Sequence, residues 1–118
     1  IGTSSPKHVR VMSGVVSMVG PTLSYPTPFR PLTDTGGATI AYVLSTDAPV
    51  TIYMYDISGR LVLTRKFASG VQGGHAGYNQ FQWNGRTDLG NIVGNGIYVI
   101  KVISGNKSLK SGKIVVLD

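Results

Sequence analysis

Two histidines, five aspartates and no glutamate or cysteine make up the side chains of this 118-residue chain that could hold a metal or move a proton near neutral pH. A hydrolytic site needs a nucleophile beside a base, or two carboxylates across a substrate. His8 lies in an N-terminal run and His75 in a glycine-rich loop, neither at a spacing that pairs it with an Asp, a Ser or the other His. Asp34, Asp47, Asp56, Asp88 and Asp118 are dispersed, so no carboxylate pair is built locally. The absence of cysteine excludes thiolate metal sites, thiol nucleophiles and disulfide frameworks. The expectation is no enzyme, no catalytic residue and no cofactor.

Three weaker signals remain. Asn84, Asp88 and Asn91 place three side-chain oxygens in one loop, the ligand type calcium takes. Their spacing is not that of an EF-hand, and Asx residues in loops commonly bond their own backbone. Trp83 ends an expected strand and reads as a core anchor or as a platform for stacking a sugar ring. Gly94-Asn-Gly96 precedes a strand rather than a helix, so it makes no phosphate cradle.

The elements that would position these residues are strands. The chain is rich in Val, Ile, Thr, Ser, Gly and Tyr, and runs of four to nine such residues alternate with turn residues. This pattern predicts strands near His8–Val19, Ala38–Leu44, Val50–Asp56, Leu61–Phe67, Gln80–Trp83, Ile97–Ser104 and Leu109–Leu117. Asp56-Ile-Ser-Gly59-Arg60 reads as a tight reversal and Gly105-Asn106 as a hairpin tip. Ala68 to Gly77, with four glycines, is expected to be the most mobile segment. No helical stripe and no internal repeat appears. A domain of this size can bury about two thirds of its surface, enough for a core without staples.

The N-terminal part stands apart. Residues 1–23 read as an extension that carries a β segment, residues 8–19, and leads into a proline-rich spacer; residues 24–118 read as the main domain. Between Gly20 and Pro31, four prolines remove backbone donors, so the segment can follow a sheet edge but cannot be a central strand. The chain starts at Ile1 without a signal peptide, as either a mature product or an excised fragment.

Several strands are apolar on both faces. Ile97 and Val99 lie opposite Tyr98, Ile100 and Val102, and Tyr53 and Tyr55 lie opposite Val50, Ile52 and Met54. Either these are central strands with a few exposed aromatics, or the outer face is covered by a neighbouring domain, by residues 8–19 or by another subunit. Lys101, Lys107, Lys110 and Lys113 act as gatekeepers against edge pairing, or meet an acidic partner. The net charge of +6 comes from scattered Lys and Arg with no run of three, which argues against nucleic acid. No apolar stretch is long enough for a membrane helix, so no membrane insertion is expected.

Tyr25-Pro-Thr-Pro-Phe-Arg-Pro31, Ile52-Tyr-Met-Tyr-Asp-Ile-Ser-Gly-Arg-Leu-Val62, Phe81-Gln-Trp-Asn-Gly-Arg-Thr-Asp88, Gly96-Ile-Tyr98 and Lys113-Ile-Val-Val-Leu117 follow in that order. This set resembles the immunoglobulin-like domain of the flagellar hook-capping protein, and the related C-terminal sorting modules of bacterial type IX secretion. The resemblance covers about residues 24–118. It implies an all-β, Ig-like or fibronectin-III-like antiparallel β-sandwich of about seven strands without catalytic residues, here with an extra N-terminal β segment. It assigns structural roles to Tyr25, Pro26, Pro28 and Phe29 where the chain joins the sheet, Asp56 and Gly59 at the hairpin corner, Trp83 in the core, and Gly85, Gly96 and Tyr98 beyond it. The sequence departs from the family where Asn is usual, at Thr27 and Arg30, and where Asp usually follows the tryptophan, at Asn84. The loss of that acid weakens the calcium reading.

The leading expectation is a non-catalytic extracellular or cell-surface module for attachment, spacing or sorting of a secreted bacterial protein, with protein partners. These are adjoining domains of a longer chain or copies of itself. A second is a self-assembling filament or sheath subunit, in which Val9, Val11, Val15, Val16, Met18 and Val19 insert as a strand into a neighbour. The competing arrangement pairs that segment with its own sheet. A third is a carbohydrate-binding module using Trp83 and exposed tyrosines.

Overall fold

The computed structural model describes residues 15–118. Eight strands form two antiparallel sheets with no helix among the described residues: β1 (Leu23–Tyr25), β2 (Ala38–Leu44), β3 (Val50–Asp56), β4 (Leu61–Phe67), β5 (Gly77–Trp83), β6 (Gly96–Ser104), β7 (Lys107–Ser108) and β8 (Gly112–Val116). The small sheet runs β1-β2-β5; the large one runs β4-β3-β6, with β7 and β8 sharing the far edge of β6. The all-β sandwich expected from the alternation is present.

Period-two alternation builds the core. Ile40, Tyr42 and Leu44 of β2 face Val50, Ile52 and Met54 of β3, and Ile100, Val102, Ile114 and Val116 complete the buried layer. At its centre the Trp83 ring lies 5.8 Å from Phe29 and 6.1 Å from Tyr98, centroid to centroid. Trp83 is only 1% exposed, and its indole N–H donates to Arg86 O at 2.8 Å. The ring is thus enclosed by the core, with no face open to a sugar.

The proline-rich segment carries the chain from one sheet to the other. β1 pairs with β2, and three residues after Pro26 the Phe29 backbone joins β8, donating to Val115 O and accepting from Leu117 N–H. Pro26 and Pro28, which have no N–H to leave unpaired, occupy the crossing. Gly85 has φ +79, and a Cβ there would come within 2.6 Å of Pro31, so glycine lets this crossing pack against the following loop.

Residues 15–19 make only an isolated bridge, Met18 opposite Leu44, with Val19 N–H donating to Val43 O and Ser45 N–H to Ser17 O. They extend the β1 edge of the small sheet across a break at Gly20 and Pro21. Val16 and Met18 point inwards and are buried in this chain's own core. The reading of these two as side chains inserted into a neighbour is corrected: alternation along an edge already paired to β2 turns them inwards. Val15 and Val19 are exposed on the other side, and His8, Val9 and Val11 lie outside the described residues.

Three strands differ in extent from the sequence reading, β6 by a single residue at Gly96, and β1 is not among the expected strands. β5 begins three residues earlier, at Gly77, because Gly77, Tyr78 and Asn79 pair with Leu44, Val43 and Tyr42 of β2. The expected last strand, Leu109–Leu117, is shorter, forming β8 at Gly112–Val116, and the two-residue β7 lies before it, across Leu109, Lys110 and Ser111.

Candidate interaction surface

The outer face of the large sheet can be read across its strands from the register. Tyr53 lies between Thr64 and Lys101, and Tyr55 between Leu61 and Val99. Val99 is in turn opposite Lys113, and Ile97 opposite Val115. Four of the interface candidates, Tyr53, Tyr55, Ile97 and Val99, are thus brought together on one face. Leu61 and Val115 join them; the sequence carried that signal only as outward parity, which needs the register to become a patch. The Tyr53 and Tyr55 rings sit 6.4 Å apart, and Lys101 Nζ stands 6.0 Å from the Tyr55 centroid, at the outer limit of a cation–π contact. A shallow groove of about 380 Å³ runs between Tyr55, Ile57, Val99 and Lys101.

The charges on this face have one sign. Lys66, Lys101 and Lys113 point outwards and are exposed. The nearest carboxylates are each held by an arginine: Asp56 by Arg60 at 3.2 Å and Asp88 by Arg65 at 3.0 Å. Asp56 also accepts from the Ser58 hydroxyl and from the N–H groups of Ser58 and Arg60. The Ser58 hydroxyl first, then the Arg60 N–H, holds its carboxyl below the ordinary carboxylate range. Gly59, at φ +93, closes that corner. Among the expected gatekeepers, Lys107 donates to Val16 O at 2.7 Å and so ties the N-terminal edge to the large sheet.

Two of the three calcium candidates have their side-chain oxygens engaged by the protein itself. Asn84 Oδ1 accepts from Arg86 N–H. Asp88 accepts from Thr64 N–H and from Arg65, while its own N–H donates to Val62 O. Asp88 thereby occupies the free edge of β4 as a strand would. Asn91 is exposed and takes part through its backbone, donating N–H to Thr87 Oγ1. Among the described residues no three His, Cys, Asp or Glu side chains converge as a metal set. His75 Nδ1 lies 2.7 Å from Ala76 O, in a local contact.

The family model of the FlgD Ig-like domain matches residues 29–108. The chain belongs to the FlgD Ig-like domain family. Among solved structures it is similar to dimeric latent PorU from Porphyromonas gingivalis, with 22% identity and a TM-score of 0.67 over 88% of this chain and 10% of that one. It is also similar to PorZ of the same organism, described as an essential bacterial surface component of the type IX secretion system, with 26% identity and a TM-score of 0.56 over 82% of this chain and 11% of that one. FlgD from P. aeruginosa aligns over 83% of this chain and 65% of its own length, with 20% identity and a TM-score of 0.47. No curated protein matches. The chain therefore spans about a tenth of the length of the PorU and PorZ chains.

On the FlgD-type sandwich the other resemblance residues fall into two groups. Phe29, Trp83, Gly85 and Tyr98 meet at the core, with the Tyr98 hydroxyl donating to Gly94 O; burial pushes that phenol up. Tyr25 is exposed on the small sheet, its hydroxyl 3.0 Å from that of Tyr78. Gly96, at φ +154, opens β6. Among the described residues no helix is long and apolar enough to cross a membrane.

Proposed function

We propose that this chain is a non-catalytic structural and interaction module of a secreted bacterial protein, acting outside the cell or at its surface in attachment, spacing or sorting. The observation that carries the reading is the fold shared with one tenth of PorZ, itself a surface component of the type IX system. A fold used as one part of a long chain supports a role defined by what the module touches. The geometry adds support. Residue 15 lies at the pole where β2 ends and β3 begins, and Asp118 lies at the opposite pole, its N–H on Asn95 Oδ1. Entry to the described sandwich at one pole and exit at the other suit a module that stands in series with other domains. Its protein partner is met on the outer face of the large sheet, where Tyr53, Tyr55, Ile97 and Val99 are contiguous. The burial of Val16 and Met18 in their own core gives the filament reading no support.

The test is a reporter carrying the full chain at its C-terminus in a bacterium with a type IX apparatus, assayed by protease accessibility on intact cells. Attachment or sorting predicts surface reporter only when the chain is present. Identical distribution with and without it overturns both roles.

A further inference from the structure

The outer face of the large sheet is apolar in the middle and cationic around it, and this composition selects an occupant. Resting on the reading of that face as the interaction surface, we propose that it docks an acidic polypeptide segment whose carboxylates alternate with apolar side chains. The apolar side chains would cover Tyr55, Val99, Ile97 and Val115. The carboxylates would meet Lys101 and Lys113, which flank that band on adjacent strands and have no carboxylate partner among the described residues.

Three arguments favour this occupant over the others. A second copy in a two-fold arrangement would bring a second set of Lys66, Lys101 and Lys113 into the same contact, concentrating like charge at a cost in binding energy. The net charge of +6 adds long-range repulsion to that pairing. A phosphate or sulfate polymer would be drawn to the lysines but would leave the tyrosines and valines between them uncovered. An extended peptide meets both requirements, because its side chains alternate as the face does.

The size of the face fixes the expected strength. Four strand positions about 4.8 Å apart, each about seven residues long, give roughly 440 Å². That is about half of the ~800 Å² per partner of a standard interface, so affinity should be modest and depend on salt. The small sheet offers no alternative for an acidic ligand. Its outward residues on β2 and β5 are Thr39, Ala41, Val43, Tyr78, Gln80 and Gln82, and none is charged at neutral pH.

The experiment uses the full chain and a fluorescent octapeptide in which glutamates alternate with tyrosine, valine and leucine, followed by anisotropy. The expected dissociation constant is in the tens of micromolar at about 50 mM salt, weakening at least about tenfold at roughly 500 mM. Octaglutamate, and the same peptide with glutamine for glutamate, should each bind about tenfold more weakly, because each lacks one half of the match. Lys101→Glu with Lys113→Glu should abolish binding while leaving the melting temperature near that of the parent, since both side chains are exposed. Tyr55→Ser should weaken binding about fivefold. Octaglutamate, heparin or phosphatidylglycerol vesicles binding as tightly as the peptide would overturn the proposal. So would an unchanged affinity in the double lysine variant. Because reporter display is read without any peptide, failure here with display intact removes the acidic partner and leaves the module's role standing.

Discussion

The two poles of the sandwich are closed in different ways. At one pole the loop from Ala68 to Ala76 is gathered around a single buried side chain: Asn79 accepts from Gly73 and His75 N–H and donates to His75 and Gly77 O. The Tyr42 hydroxyl, buried so that its ionisation is pushed far up, donates to Gly73 O from below. At the other pole the Asn84–Asn95 loop is held by the Trp83 indole and the Tyr98 hydroxyl, by backbone bonds from Val93 N–H to Gly85 O and Asp88 N–H to Val62 O, and at its rim by exposed contacts from Arg86, Thr87 and Asp88. Leu89 stays 89% exposed there, and a cavity of about 460 Å³ opens between Leu61, Thr87, Ile92, Val93 and Tyr98. The inward-facing Asn79 amide is fully enclosed, whereas the loop with outward-facing polar contacts borders a hollow. The Asp56–Arg60 corner separates that hollow from the groove beside Tyr55.

Asn79→Ala is expected to have the largest effect. It removes four hydrogen bonds at a site with no exposure and leaves their backbone partners unpaired, a loss of about 3 kcal/mol. Urea unfolding followed by tryptophan fluorescence measures it. A loss below about 1 kcal/mol would show that water replaces the amide, and the two poles would then be alike.

Trp83→Phe addresses the other pole. It keeps an aromatic ring against Phe29 and Tyr98 but deletes the N–H to Arg86 O, so a smaller loss of about 1–2 kcal/mol is expected, read by circular dichroism. Hydrogen exchange should accelerate in residues 84–94 and not in 70–76. Acceleration at both poles would mean that the loops are coupled through the core rather than closed independently.

The contrast between the poles also marks where sequence reading stops. Runs of β-prone residues bounded by turn residues located β2, β3 and β4, Ala38–Leu44, Val50–Asp56 and Leu61–Phe67, with the boundaries observed. The segment Ala68–Gly77 reads as mobile from its glycines, but Gly73 and Gly74 are there for close approach. A Cβ on Gly73 would strike the Phe67 ring, and one on Gly74 would strike Ala68 O. That requirement comes from residues brought near by folding and has no local signature. The same holds for Asn79, a turn former by type that becomes the middle of a loop clamp. Asp88 was legible as a polar loop residue, but its edge-capping role on β4 depends on a contact 24 residues away. On the outer face of the large sheet, the tyrosines and valines were visible as outward residues, and only the register made them neighbours of Lys101 and Lys113.

The smallest effect belongs to the corner between the hollow and the groove. Asp56 has its folded-state ionisation held below the ordinary value near 3.8 by the Ser58 hydroxyl, then by the Arg60 N–H. A depressed carboxyl adds stability that is fully present above the unfolded value and is lost as pH falls through the folded one. The window therefore starts near pH 3.8 and runs downwards. Asp56→Asn keeps an oxygen acceptor but loses the charge, so its melting temperature should trail the parent's at neutral pH, with the gap closing on acidification below that value. A gap that stays constant down to about pH 2 would assign the corner to hydrogen-bond geometry alone and remove charge from the account of this pole.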